Sequence, residues 1–474
     1  MRILLLNPVT LSGQKFIRMC RNHRPGAGDT GSWPPIDLAE IAAVLRRGGF
    51  QQLKILDSVI LGQTFKKMIN AILSFAPDLI IVHNITPGLY YDKEMAKLVK
   101  EKAPDTKIAF FGLHASSRPE DILSQEIEFA IKDEPAYTAL ELAGCLKYGE
   151  EKNLHSVKGL SFFSNGRRSH NPDRPPEVDL DNLPMPAREL LDNRRYILAD
   201  KGVPFTIIRT SRGCPYSCIY CSAGADSKNI WRSRSPQSIL AEIKEVRKTF
   251  GINDFMFFSD TFTVKEKDIL GLCALIRKDA PGIRWLCNSR TDTITQAMAL
   301  AMKNSGCWLV SLGVESGDEA ILRNIKKGAS LEDARRSVDI LRKAGIKSIG
   351  YYMFGLPGET PQTIDKTIAF SRELDTDYAY FFTATPLPGT AYFDIARQRR
   401  WLVSEDWRRY HQGSSNLISF ETLSSRAISR SIPKAYLSFY LRPARIIREC
   451  REIKNIRSIF QRIRIGCRIL AGNF

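Results

Sequence analysis

The first 148 residues alternate short apolar runs with amphipathic stretches. "RILLLNP" (Arg2 to Pro8) is an apolar run closed by a proline, the pattern of a strand buried on both faces. "PPIDLAEIAAVLRRGG" (Pro34 to Gly49) has apolar residues at helical spacing and a stop at Gly48-Gly49. The alternation continues through "LKILD", "TFKKMINAILSFA", "DLIIVHNI", "DKEMAKLVKEKA", "KIAFFG", "IEFAIKD" and "AYTALELAGCLK". Strand and helix in turn predict an α/β domain over 1–148, an open parallel doubly wound, Rossmann-like sheet. Its ligand belongs at the carboxyl ends of the strands, near Asn7-Pro8, Asn84 to Thr86 and Gly112 to His114.

Residues 149–198 break the pattern. "VKGLSFFSNGRRSHNP" predicts a hairpin turning at Asn165-Gly166, and "RPPEVDLDNLPMPAREL" predicts a proline-rich linker lying across the surface. A second alternating series fills 199–394. Its strands are "FTIIRTS", "DFMFFSD", "RWLCNSR", "WLVSLGVES", "SIGYYMFG" and "YAYFFTATP", with helical patterns between them. Six parallel strands with crossover helices make a partial (β/α)6 barrel, whose working end is again the carboxyl end of the strands. The tail, 395–474, reads as helical and basic. No internal repeat is visible.

Composition narrows the class. Ten cysteines in 474 residues are no disulfide framework, and the opening "MRILLLNP" is too short an apolar run for an export signal. The expectation is a cytoplasmic chain, where clustered cysteines point to a metal or to catalysis. No apolar run approaches the roughly 18 residues of a membrane span. Six histidines are few for a histidine-metal enzyme. The net charge of +18 is uneven: from Ser431 to Phe474, ten Lys or Arg face only Glu449 and Glu452, a local net of +8. A membrane surface, nucleic acid or acidic substrate would suit that charge.

The candidate chemistry lies in "RGCPYSCIYCS" (Arg212 to Ser222), just after the first strand of the second series. Cys214, Cys218 and Cys221 let one loop offer three thiolates to a cubane. Four-iron clusters usually take four cysteines, so three leave one iron open. A structural zinc would want a fourth ligand nearby. The next cysteine is Cys273, and no histidine stands before it.

These residues resemble the radical S-adenosylmethionine (SAM) enzymes. In that family the open iron binds SAM, and an electron from the cluster splits it into methionine and a 5′-deoxyadenosyl radical that abstracts hydrogen. The resemblance extends along the chain. Tyr220 matches an aromatic packed near the adenine. "FFSDTF" offers Ser259, Asp260 and Thr261 to the methionine moiety, and "CNSRTD" puts Arg290 at the end of the third strand. "SLGVESGDEAILRNIKKG" aims Glu315 and Ser316 at SAM, and "MFGLPGET" supplies the glycine turn at Gly355, where backbone approaches the adenine. Cys273, Cys287 and Cys307 lack pair spacing and read as core thiols, so no second cluster is expected.

No G-x-G-x-x-G follows the first strand, which argues against a nicotinamide or flavin. Ahead of such a barrel, "LLLNP", "PPIDLAEIAAVLRRGGF", "FGLHASSRPEDIL" and "DEPAYTALELA" resemble the cobalamin-binding domain of the cobalamin-dependent branch. That implies cobalamin, with Asn84, Thr86, Gly112 and His114 as contacts. The family's Asp-x-His-x-x-Gly is missing, and no histidine precedes His23. The implied state has the nucleotide tail tucked into the domain and no histidine on cobalt. His114 then shapes the tail's pocket, with a cobalt ligand as the rival role. "IKDEP" lacks the glycine that often precedes the glutamate, which leaves Asp133 and Glu134 open as contacts. A domain that has lost cobalamin is the alternative.

In the tail, Ile446, Cys450, Ile453, Ile456, Phe460 and Ile463 make one apolar stripe among arginines. An interfacial membrane contact and a helix packed on the barrel are both open. "YLSFYLRPARI" resembles the carboxyl-terminal segment of family members acting on hydrophobic substrates, the tetrapyrrole cyclases and hopanoid-lipid modifying enzymes. The RNA-directed methylthiolating members carry an amino-terminal cluster domain; here only Cys20 and Cys145 precede the triplet, so nucleic acid is not expected.

The resemblance implies a 4Fe-4S cluster, SAM, cobalamin and an electron donor such as flavodoxin or ferredoxin. The expected reaction is methylation of an unactivated carbon of a hydrophobic small molecule or lipid. The alternatives are a non-methylating cyclisation or rearrangement, a tRNA modification, and a non-catalytic cobalamin sensor. The expected location is the cytoplasm, with peripheral contact at the inner face of the membrane through the tail.

Overall fold

The computed structural model describes residues 1–18, 33–198, 201–223, 229–411, 417–443 and 445–447. The first sheet contains β1 (Ile3–Asn7), β2 (Leu53–Asp57), β3 (Leu79–His83), β4 (Lys107–Phe111), β5 (Phe129–Ile131), β6 (Leu160–Ser164) and β7 (Arg167–His170). Their order across the sheet is β2-β1-β3-β4-β5-β6-β7. The first five are parallel. Helices α1 (Ile36–Arg47) and α5 (Pro135–Lys147) cover one face, α2 (Phe65–Phe75) and α3 (Leu89–Lys102) the other, and a short α4 (Leu113–Ser117) follows β4. Each parallel strand serves both cores: in β1, Ile3 and Leu5 face one layer, Leu4 and Leu6 the other. Burial on two sides is why these strands read as continuous apolar runs.

Two expectations change here. The hairpin does turn at Asn165-Gly166, both at positive φ, but it is not part of a separate connector. It adds β6 and β7 antiparallel to β5, so the sheet is mixed. Strand β5 has only three residues, and the hairpin covers an edge that would otherwise stand open. The proline-rich segment also departs from a surface path. Val178 and Met185 do lie exposed, but Leu180, Ala187 and Arg188 are buried, and Ala187 with Leu191 and Tyr196 just after the segment packs between the two domains. One continuous core joins α1 and α5 through Leu191 and Tyr196 to Phe205, Ile207, Met256 and Phe258 of the second sheet.

That second sheet consists of β9 (Val203–Arg209), β12 (Asp254–Phe258), β13 (Arg284–Arg290), β14 (Cys307–Glu315), β15 (Lys347–Phe354) and β16 (Tyr378–Thr383), all parallel. A short β8 (Ile197–Leu198) pairs antiparallel with β9, and β16 ends the order at the other side, so the barrel is open. A ribbon of β10 (Ser211–Arg212) and β11 (Arg232–Ser233) closes the neck of the cysteine loop. Ser235, Thr295, Ser330 and Thr360 cap four of the crossover helices through their side-chain oxygens.

The described part of the tail is tied down. Helix Ser425–Tyr440 lays Tyr436 and Phe439 on Phe381 of β16. Arg442 pairs with Asp375 at 2.6 Å, and Arg445, 2% exposed, donates to the Thr376 carbonyl. Two of the ten basic residues therefore serve packing. Of the apolar stripe only Ile446 is described, and it is exposed; its other members lie outside the described residues. Among the described residues no helix is long and apolar enough to cross a membrane.

The linker is fastened by one buried ion cluster. Arg188 donates to the Ile207 carbonyl (2.6 Å) and to Glu242 (2.5 Å), whose other oxygen accepts from Arg234. Both Arg188 and Glu242 side chains are nearly inaccessible. Replacing Arg188 by Ala should cost about 3 kcal/mol, because it strips a buried carboxylate of one partner and a strand carbonyl of its donor. A lowered urea midpoint would register this; an unchanged midpoint would count against the linker's structural role.

Candidate active site

The cysteine loop is anchored at its middle. Ile219 is buried; its N–H donates to the Ile325 carbonyl (3.1 Å), and its carbonyl accepts from Tyr392 (2.9 Å). The Cys221 N–H donates to the Cys218 carbonyl at 3.1 Å and tightens the turn between those two thiols. Cys214 is buried, 3.7 Å from the Thr261 hydroxyl, while Cys218 and Cys221 are half-buried. All three are free thiols. Two cysteines elsewhere in the barrel are held protonated by burial, which pushes Cys273 up to about 12 and Cys287 well above the usual range.

Arg290 crosses toward the loop from the end of β13. Its guanidinium lies on the Tyr216 ring at 3.6 Å, with Nη1 3.7 Å from Cys218 Sγ. A bidentate pair with Asp292, 2.8 Å on each arm, fixes its plane, and Nη2 also donates to the Lys327 carbonyl (2.6 Å). Burial works against that charge, but Asp292 outweighs it and holds the group protonated. Lys327 in turn donates to Glu315 at 2.9 Å in a buried pair. Tyr220 completes the ring of contacts: burial and then Glu315 push its phenol far above its usual range, so it remains a donor to that carboxylate. Glu315 has φ +69°, a left-handed backbone rare for a residue with a side chain. At neighbouring Gly313 a Cβ would come within 2.5 Å of the Glu315 carboxylate, so the strand stays bare beneath the pair.

Cys218, Tyr220, Arg290 and Glu315 thus come together, with Cys214 beside Thr261. Ser259 Oγ and Asn288 Oδ1 are buried nearby without a protein partner. Asp260 is half-buried, and its carbonyl accepts from Thr261. Ser316 is not turned to this ring: its hydroxyl contacts Thr367 (3.2 Å) and accepts from the Asp318 N–H. Gly355, at φ +89°, faces Ile428 of the C-terminal helix, 3.5 Å from where a Cβ would stand. Lys327, Asn288, Tyr216 and Glu359 escape the sequence reading. Nothing local marks a lysine for burial or an asparagine for an inward face.

The donor set suits the groups implied. Three thiols on one loop can hold three corners of a cluster. Arg290 can complement a carboxylate, Glu315 an ammonium, and Ser259 and Asn288 offer unfilled polar atoms.

The first sheet presents a similar edge. Asn7, Ser58 and Asn84 follow or end β1, β2 and β3, and each has a buried polar atom with no protein partner. The edge lies where the chain order reverses, between β1 and β3. Gly112 has φ +122°, and a Cβ there would strike the Asn84 carbonyl. Unfilled polar atoms and a backbone kept bare at Gly112 suit a polar group of cobalamin to this edge. His114 lies beneath it, fully buried, with Nδ1 3.3 Å from Thr86 and Nε2 3.4 Å from Asp121. The Trp407 ring stands edge-on to it at 5.1 Å. His114 Nε2, though near Asp121, has no hydrogen-bond partner among the described residues. Glu134 turns away, binding Arg212 and Arg232 of the second domain.

One buried acid gives a pH signature. Glu359 accepts from the Gly355 and Leu356 N–H groups, and burial lifts its carboxyl to about 8 with no cation beside it. The folded state therefore holds a proton that the unfolded chain releases near its ordinary value of 4.5. Stability contributed by that proton is present below 4.5 and lost as pH rises toward 8. Glu359→Gln keeps the acceptor and removes the titration. The variant should gain on the wild type by a few kcal/mol, to order of magnitude, between pH 5 and 8. Parallel pH curves of thermal unfolding for the two proteins would refute it.

Comparison with known proteins accords with this geometry. Residues 208–371 match the radical SAM superfamily, and residues 27–143 match the B12 binding domain. An uncharacterized methyltransferase of Pyrococcus horikoshii is 33% identical over 454 residues, 95% of each chain. The anaerobic magnesium-protoporphyrin IX monomethyl ester cyclase of Rubrivivax gelatinosus is 25% identical over 82% of this chain and 68% of its own. Among solved structures, the cobalamin-dependent SAM radical enzyme OxsB has a TM-score of 0.76 at 16% identity, over 100% of this chain and 72% of its own. The radical SAM methyltransferase TsrM of Kitasatospora setae, with cobalamin and a [4Fe-4S] cluster bound, has a TM-score of 0.67 at 18% identity, over 85% and 80%. At such identities the structural likeness is one of fold. With both domains matched and a relative above 30% identity along nearly its whole length, the chain belongs to the cobalamin-dependent radical SAM enzymes, which work with S-adenosylmethionine, a 4Fe-4S cluster and cobalamin.

Proposed function

We propose that this enzyme methylates an unactivated carbon of a hydrophobic substrate. The observation that carries the reading is the meeting of the two carboxyl-end edges. Gly389, after β16, lies against Ser117 at the end of the short helix Leu113–Ser117 that follows β4, and Trp407 covers His114. When bound, the cofactors supply the hydrogen-abstracting radical and the methyl group; the protein's own work is orientation and exclusion of water. In this reading Cys214, Cys218 and Cys221 hold the cluster. Arg290, Glu315 and Ser259 orient SAM by its charged ends, Thr261 and Asp260 border its methionine moiety, and Tyr220 packs beside it. Asn84, Thr86 and Gly112 border the cobalamin tail, with His114 as the wall beneath. An external flavodoxin or ferredoxin supplies electrons.

The concave face of the open barrel supports a hydrophobic substrate. Tyr351, Tyr380 and Phe382 lie there with ring centroids 5.5–6.4 Å apart and planes within 27° of one another. Their strand neighbours Tyr352 and Phe381 face the helices instead, and Tyr380 remains 36% exposed. Leu437, Leu441, Ile446 and Ile447, exposed at the end of the described chain next to the basic tail, favour contact with an anionic membrane surface. The magnesium-protoporphyrin cyclase relatives favour a second reading, cyclisation or rearrangement without methyl transfer.

Extracts of cells with and without the gene separate the two. Methylation is expected to leave a precursor lighter by one methylene unit in the deletion strain. A missing species related by hydrogens, oxygen or ring closure would replace the methyl reading with the cyclase one. In the purified enzyme, Cys218→Ala should lose cluster iron and 5′-deoxyadenosine formation together. Full deoxyadenosine formation by that variant would remove Cys218 from the ligand set.

A further inference from the structure

A chain of alternating charges crosses the interface between the two domains. Asp37 and Glu40 project from α1, and Glu134 opens α5. Arg209 ends β9, while Arg212 and Arg232 face each other in the β10–β11 ribbon. Arg209 donates to Asp37 and, at 2.8 Å, to Glu40. Arg212 donates to the other Glu40 oxygen at 2.8 Å and to Glu134 at 3.1 Å. Arg232 donates to the remaining Glu134 oxygen. Three acids, all from the first domain, and three bases, all from the second, form one balanced row. Their side chains are between 7% and 23% exposed.

The row touches both cofactor edges, one at its Asp37 end and the other at Arg212 within it. Asp37 lies 3.8 Å from His83, which ends β3 next to Asn84. Arg212 stands two residues before Cys214. Glu40 and Glu134 are each shared by two guanidiniums, so a slide of one domain against the other strains two bonds at once. The planar fork of arginine makes such shared pairs directional. Burial shields them from salt.

We propose that Glu40, Glu134, Arg209 and Arg212 are positioning residues that set the separation and orientation of the cobalamin edge relative to the cysteine loop. They act through the two cofactor sites and touch no reacting atom. The apolar core shared through Leu191 and Tyr196 keeps the domains docked; the charge row fixes their register. The inference rests on the two cofactors and not on methyl transfer, so a failed product assay would leave it standing.

The test is the magnetic dipolar coupling between cob(II)alamin and the reduced cluster in the holoenzyme. The wild type should give one narrow distance distribution, unchanged in high salt. Glu134→Gln and Glu40→Gln should each broaden and shift it while cobalt and iron contents stay at the wild-type level. Restoring the charge with Glu134→Asp should narrow the distribution again. Wild-type distributions in Glu134→Gln, with or without a fall in thermal stability, would overturn the proposal and reduce the row to a stability feature. A broad wild-type distribution would overturn it equally. Should Glu40→Gln not fold, Glu134→Gln decides alone, since its side chain is the more exposed of the two.

Discussion

Six opposite charges buried between two domains are costly unless every one is paired, and here that constraint organises the molecule. Arg209, Arg212 and Arg232 can leave water only because Asp37, Glu40 and Glu134 meet them from the other domain. Burial alone would push Glu134 up, but Arg212 and Arg232 outweigh it and hold the carboxyl below its usual range. The arginines flank the cysteine loop and the acids flank the first sheet, so satisfying the charges brings the two working edges together. The apolar core beneath adds adhesion, which has no direction; the hydrogen bonds add register.

The barrel mouth applies the same economy at shorter range. Arg290, Lys327, Glu315 and Tyr220 form a continuous run of donors and acceptors beside the cysteine loop. The strained backbone at Glu315 is tolerated because the side chain is held by Lys327 and the strand beneath is glycine. Among the buried polar atoms left without partners are those of Ser259 and Asn288 in one domain, and of Asn7, Ser58 and Asn84 in the other. Both sets lie at carboxyl ends of strands, where parallel sheets bind their ligands. The two aromatic strands at the open side of the barrel add an apolar wall to this polar mouth.

Much of this was legible in the sequence. Apolar runs and helical spacing gave the strand and helix order of both domains, because each element's periodicity is local. The cysteine triplet, "GVES" and "GLPGET" announced the chemistry, because glycine turns and loop thiols need fixed neighbours in sequence. Less legible were Lys327, Asn288 and Glu359, ordinary residues whose roles arise from burial. The hairpin was visible as a hairpin, but its pairing onto β5 was not, since edge pairing depends on which strand lies open.

The sequence by itself determined two α/β units, a thiol loop at the mouth of a barrel, and a cobalamin-type domain that lacks the Asp-x-His-x-x-Gly pattern. Tertiary structure alone decided how they face each other. Asp37 and Arg209 stand 172 residues apart, and Glu40 and Arg212 equally far. No local period marks a charge for burial; a surface arginine and an interface arginine look the same in one dimension. The linker's path between the sheets and the turning of Ser316 toward Thr367 have the same origin. They follow from which polar groups find partners once the chain has closed, a condition set by distance in space and not by distance along the chain.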